Sequence, residues 1–220
     1  ASVLMLVGSP SGFLFDLPPG VDYIKLPSLA KVARDVWRPQ SLRITSGDVL
    51  SLRSSLIERA AASFKPDVVL VDHEAGGVWN ELAPALELIR RTRPQTRVIL
   101  GLREILDEPA RTRESWAKRG TTETIKRFYD DILVYGDEAV FPTRLAYGLE
   151  QLAPGRVHSC GFVTNIGDAG YPVAAVQVAG KPRVVIAGGG GRDAFPLLAA
   201  AVEALRSLAD HVIARHHPAA

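Results

Sequence analysis

The chain holds one cysteine, Cys160. A single thiol excludes an intrachain disulfide, and the setting His158-Ser159-Cys160-Gly161-Phe162 reads as a small buried residue in a reducing compartment, with the cytoplasm as the default location. Long hydrophobic runs are also lacking: none approaches the roughly 18 to 20 residues that span a bilayer. The N-terminus lacks the basic region and cleavage pattern of a signal peptide. Peripheral contact with the inner membrane face is left open. Neither sign of charge dominates, with 26 basic and 24 acidic residues giving a net +2. That balance argues against the concentrated positive field of a nucleic-acid-binding domain, while a pI near 8.8 leaves room for local anion sites. No serine nucleophile elbow and no Cys/His or His/carboxylate metal spacing is found, so the sequence calls for no metal or cofactor.

What is present fits a globular α/β chain. At 220 residues, 47% hydrophobic and 23% charged, the sequence can build a sizeable core in one or two domains. Short, continuous apolar runs at 3–7, 23–26, 68–71, 98–102, 132–135, 157–160 and 184–187 read as strands. Their continuity suits a parallel sheet covered on both faces. Helical periodicity lies between them at 48–62, 78–91, 111–117, 122–129, 138–149 and 194–208. The first of these helices should end near Lys65-Pro66-Asp67, because Pro66 is not tolerated inside it.

Gly180-Lys181-Pro182, after the small-residue stretch 164–179, reads as an interdomain connection. The expected division is a Rossmann-like domain at 1–164, a linker at 165–180, and the first strand, loop and helix of a second Rossmann-like domain at 181–220. Ala1-Ser2 leads directly into a strand, so the expectation is that a first βα unit is missing, as is the remainder of the second domain. Such an omission would open a strand edge and an apolar surface for a helix.

Four constellations can carry chemistry. Gly188-Gly189-Gly190-Gly191-Arg192 follows an apolar run and precedes a helix, where glycines let the backbone approach an anion and the helix N-terminus favours it. The loop has neither the Walker lysine nor the Rossmann glycine spacing, and a plain strand-to-helix turn is the other reading. Asp72-His73-Glu74 lies at the carboxyl end of an apolar run, the edge where α/β sheets bind ligands. There His73 can act as a general base oriented by Asp72 or Glu74, or Asp72 can cap a turn with His73 and Glu74 facing solvent. Arg103 can fork onto a phosphate or carboxylate, or pair with Glu104 or Asp107. Gly136 brings a glycine to the same edge, which a tight turn also explains. In addition, Lys31, Arg34, Arg38 and Arg43 surround Trp37 in what reads as a loop, suited to anionic headgroups or simply solvated. Arg111, Arg113, Lys118, Arg119, Lys126 and Arg127 have acids nearby and read as helix surface.

Leu17–Pro27, Val71-Asp72-His73-Glu74, Leu100–Pro109 and Val134-Tyr135-Gly136-Asp137, taken in order, resemble a group of bacterial glycosyltransferases distantly similar to the MurG-type enzyme of peptidoglycan synthesis. The resemblance runs from Ala1 through Phe162 and resumes at the glycine loop. It implies a GT-B fold of two Rossmann-like domains, the first binding a hydroxyl acceptor and the second a nucleotide-sugar donor, UDP-linked by expectation. It further implies a diphosphate site at Gly188 to Gly191 and Arg192, an acceptor side built from Asp72, Arg103, Asp107 and Gly136, and an activating histidine in a glycine-histidine loop expected to precede Ala1; the catalytic roles of His73 and Glu74 are expected from the residues themselves. A nucleotide-sugar epimerase of the same fold and a non-catalytic binding domain are the competing expectations.

Overall fold

The computed structural model describes residues 1–9, 16–33, 36–163, 186 and 194–216. The expected linker, the strand expected at 184–187 apart from Ile186, the loop Gly188 to Gly191 and Arg192 all lie outside them. The chain divides into two compact units, Ala1–Asn165 and Ile166–Ala220.

In the first unit, β1 (Val3–Val7) and β2 (Val21–Lys25) form a parallel pair with Val3 opposite Val21. An antiparallel hairpin follows, β3 (Leu29–Ala33) and β4 (Val36–Pro39). The sequence reading treated that stretch as a loop. Helix α1 (Ser46–Phe64) opens with a capping box, in which the Thr45 side chain accepts from the Asp48 N–H and the Asp48 carboxylate answers at the Thr45 N–H. It closes at Lys65, in the left-handed region at φ 53°, immediately before Pro66.

A four-stranded parallel sheet forms the rest of the unit, in the order β5 (Val68–Asp72), β6 (Arg97–Arg103), β7 (Asp131–Tyr135) and β8 (Val157–Ser159). The connections carry α2 (Ala83–Thr92), α3 (Pro109–Arg119), α4 (Thr121–Phe128), and the short α5 (Thr143–Ala146) and α6 (Leu149–Leu152). This is a Rossmann-like α/β arrangement. Val71, Val98, Leu100, Leu102, Ile132, Val134 and Val157 share one face of the sheet by register. They are buried in one cluster with Leu86 and Ile89 of α2, Ile125 and Phe128 of α4, and Leu149 and Leu152 of α6.

Coverage of both faces does not extend to β5. As the sheet's edge strand it leaves Val68 and Leu70, on the opposite face, 55% and 57% exposed. Two expected helices are also divided. The one at 78–91 begins instead as a 3₁₀ turn, Val78–Asn80, because Trp79 and Asn80 take positive φ; α2 then starts with Pro84 in its first turn. The one at 138–149 is split by Gly148 (φ 67°) into α5 and α6, with Pro142 holding the start of α5. Cys160 is exposed rather than buried, because it lies past the end of edge strand β8, where its N–H still donates to Val134 O at 2.9 Å.

In the second unit the described element is α7 (Ala194–His216), whose Phe195, Leu197 and Val202 are exposed.

Candidate functional site

The carboxyl edge of the parallel sheet is built from the segments that leave β5 and β6. After Asp72 the chain turns sharply: the His73 N–H donates to Gly101 O across the sheet (2.8 Å), and the Glu74 N–H reaches back to Asp72 O (2.8 Å). His73 is thereby held at φ 65°, a left-handed conformation that costs a branched-off side chain energy and that persists only where its surroundings fix it. Those surroundings are identifiable. The buried Tyr129 hydroxyl donates to Ala75 O at 2.6 Å, and its burial raises the phenol's pKa. Gly77 takes φ 72° with Glu81 and Leu82 packed where a Cβ would sit.

Glu81 in turn is clamped by Arg53 of α1. The pair is buried and bidentate, Nε to Oε2 at 2.5 Å and Nη2 to Oε1 at 2.6 Å, while Arg53 Nη1 donates to Pro27 O at 2.5 Å. One guanidinium therefore ties α1, the exit of β2 and the loop after β5 together. Beside it, Lys25 donates to Ser28 Oγ (2.8 Å) and Gly8 O (3.3 Å); burial, then the Arg53 charge, lowers its pKa.

A cavity of about 530 Å³ opens at this edge. His73 and Glu74 contribute from the β5 exit, Leu106 and Asp107 from the β6 exit, Lys31 from β3, and Arg111, Thr112, Glu114, Ser115, Trp116, Lys118 and Arg119 from α3. His73 Nε2 stands 4.0 Å from Glu74 Oε1, and both side chains are 37% exposed. The other ring nitrogen, Nδ1, is buried with no hydrogen-bond partner among the described residues. Glu74 is also held by Arg119 at 2.8 Å. The β6 exit is pinned by Tyr147, whose hydroxyl donates to Asp107 O (2.7 Å) and accepts from the Leu106 N–H (3.0 Å). At the start of α3, two backbone N–H groups bind the Glu108 carboxylate, lowering its pKa.

A second cavity, about 300 Å³, shares Glu74 and Arg119 with the first. Its remaining walls are Trp37, Gly76, Gly77, Val78, Trp79, Asn80, Thr121 and Thr124. The hairpin feeds both spaces, because Lys31 and Trp37 are cross-strand partners, one lining each cavity, with Nζ 6.0 Å from the indole centroid.

Of the residues expected from sequence, His73, Glu74 and Asp107 come together in the larger cavity. Asp72, Arg103 and Gly136 line neither space. Asp72 ends β5, where its charge adds to the dominant effect of burial in raising the Tyr135 pKa. Arg103 ends β6, exposed and opposite Tyr135, and the Asp107 carboxylate accepts from the Glu108 N–H. Gly136 is explained by packing, since a Cβ there would collide with Glu104.

The basic residues of α3 were read as plain surface, yet Arg111, Lys118 and Arg119 line the cavity. Their signal is the helical spacing 111, 115, 118, 119, which places them with Ser115 on one face. All three tryptophans of the chain, Trp37, Trp79 and Trp116, line these two cavities. No helix among the described residues is long and apolar enough to cross a membrane. Comparison with protein-family models, with curated proteins and with solved structures finds no match for this chain.

Proposed function

We propose that this chain supplies the acceptor-side domain, residues 1–164, and the start of the donor domain, residues 181–220, of a GT-B-type parent enzyme that moves a sugar from a UDP-linked donor to a hydroxyl acceptor by direct displacement. The observation that carries the reading is His73: a strained histidine with a buried, unpartnered Nδ1, placed in a polar cavity at the carboxyl edge of a Rossmann-like sheet. The order of the motifs that resemble glycosyltransferases supports it as well.

In this reading an acceptor hydroxyl enters the larger cavity and gives its proton to the His73 ring. Glu74, 4.0 Å from Nε2, balances the charge the ring then carries, and Arg119 holds Glu74 in place. Lys31 and Arg111 attract anionic parts of the substrates into the same space, while Lys118 is paired with Glu114 at 2.6 Å. The donor's diphosphate is assigned to Gly188 to Gly191 and Arg192 on the sequence pattern alone.

Transfer from UDP-sugars to hydroxyl acceptors, with product analysis in the presence and absence of acceptor, tests the reading. His73→Ala is expected to lower kcat by about 10²- to 10⁴-fold, the ordinary contribution of a positioned base, with KM nearly unchanged. A retained wild-type rate overturns the base assignment. Products formed equally without acceptor favour epimerisation, and the absence of any saturable thermal shift with UDP or UDP-sugars counts against a donor site.

A further inference from the structure

We propose that the smaller cavity is a subsite for a neutral pyranose ring, a sugar unit of the acceptor lying next to the one that reacts at His73; the proposal deepens the sugar-transfer reading and rests on it. The chemistry of the walls selects the ligand. Trp37 and Trp79 are half-buried and offer indole surface, onto which the C–H face of a sugar ring packs. Asn80, Thr121 and Thr124 offer an amide and two hydroxyls, neutral groups that both donate to and accept from ring hydroxyls. The one basic side chain lining the cavity, Arg119, is ion-paired with the one acidic side chain, Glu74, at 2.8 Å. Neither sign of ligand charge is therefore selected, in contrast to the cationic surplus of the larger cavity.

Position and backbone agree with this chemistry. Glu74 and Arg119 line both cavities, so one extended acceptor can cross that ion pair and occupy both. Among the described residues, four non-glycine residues have positive φ, and three of them, His73, Trp79 and Asn80, line these two cavities. Trp79 at φ 60° is a bulky residue in a costly conformation, and its immediate effect is to break the helix and leave an indole in the cavity wall.

Tryptophan emission reads the site. In a Trp116→Phe background the only indoles left are Trp37 and Trp79, and the chain is titrated with glucose, N-acetylglucosamine and cellobiose, with uridine as the planar-ring comparison. A saturable emission change with at least one sugar is expected. Trp79→Asn, which keeps a residue tolerant of the left-handed region, is expected to raise the apparent Kd about tenfold, the order associated with one lost stacking face; Trp37→Leu serves as the second variant. Saturation by uridine and by no sugar overturns the proposal. So does saturation by no ligand, or sugar binding that neither variant weakens. In the transfer assay Trp79→Asn should raise acceptor KM and spare kcat. Sugar binding without any transfer removes the sugar-transfer reading and leaves a sugar site. Transfer with an unmoved KM removes the subsite and leaves the function.

Discussion

The two edges of the same parallel sheet are built on opposite terms. At the amino edge the charges are paired. Asp130 accepts from Arg90 (2.8 Å) and from the Val98 N–H (2.7 Å), Asp131 is bound by Arg97 and by His158 (3.4 Å), and Arg156 caps Tyr129 O (2.8 Å). At the carboxyl edge a histidine nitrogen is buried without a partner among the described residues, three non-glycine residues take positive φ, and two cavities open. The same strands set both edges, so the fold does not force the difference. Strain and unmet polar groups persist only where other contacts hold them. The strain is concentrated at the carboxyl edge, with His73, Trp79 and Asn80 against Lys65 alone at the other, whereas each edge holds one buried unpartnered side-chain nitrogen among the described residues, His73 Nδ1 and Arg93 Nε.

The comparison breaks first at the clamp. If Arg53 and Glu81 hold the strained loop, then Glu81→Ala leaves a buried guanidinium without its carboxylate. Urea unfolding should then show a loss of about 3–5 kcal/mol, the range for breaking one partner of a buried pair. The Arg53→Met, Glu81→Leu double variant should recover most of that loss, because it removes the uncompensated charge. A loss below about 1 kcal/mol, typical of exposed pairs, would mean that the loop is held by other contacts.

How much of this was legible in the sequence follows the same division. Strands β1 and β5 to β8 lie where continuous apolar runs placed them; in the central strands β6 and β7 the run reflects burial or part-burial of consecutive residues, whereas at the edge β5 is apolar on an exposed face as well. The end of α1 was legible from Pro66, whose ring excludes helix. The hairpin was not: Lys31 and the segment around Trp37 read as a charged loop, since an exposed two-stranded ribbon has little apolar burial to impose alternation. Nor was the break at Trp79, because positive φ at a tryptophan comes from tertiary packing around Gly76-Gly77 and not from its own preference, although Asn80 beside it is a residue that tolerates that region. His73, Glu74 and Asp107 were legible because the exit of a parallel strand is a predictable place. Trp37, Trp79 and the cationic face of α3 reach the cavities from elements whose docking no local pattern records.

His73→Gly sharpens the contrast with a smaller effect of opposite sign. Glycine accepts φ 65° freely and removes the unpartnered Nδ1, while its backbone entropy returns about 0.5–1 kcal/mol of cost. The expected outcome in urea unfolding is a gain of roughly 1 kcal/mol, together with loss of turnover. A residue kept at a cost to stability fits a site better than a core. If the glycine variant is instead destabilised, the ring is making packing contacts worth more than its strain, and the carboxyl edge is as structural as the amino edge.

The smallest effect belongs to the amino edge and is read by pH. Burial alone would raise the Asp131 carboxyl, but the hydrogen bonds from Arg97 and His158, reinforced by their charges, outweigh it and hold the group below its ordinary value. A carboxyl lowered in the folded state adds stability that is fully present above the unfolded value, about 3.9 for aspartate, and is lost as pH falls through the folded one. Glu108, Glu114 and Glu150 are lowered as well, so the wild-type acid limb alone does not isolate Asp131. Asp131→Asn does, because the variant keeps the other three carboxylates and removes this one. The difference in urea midpoint between wild type and variant should be constant near neutrality, begin to shrink as pH falls through about 4, the unfolded value, and level off only below the lowered folded value, where both chains carry an uncharged side chain at 131. A difference that stays constant into acid would show that Asp131 contributes through shape rather than charge, and the paired amino edge would then be held by packing alone.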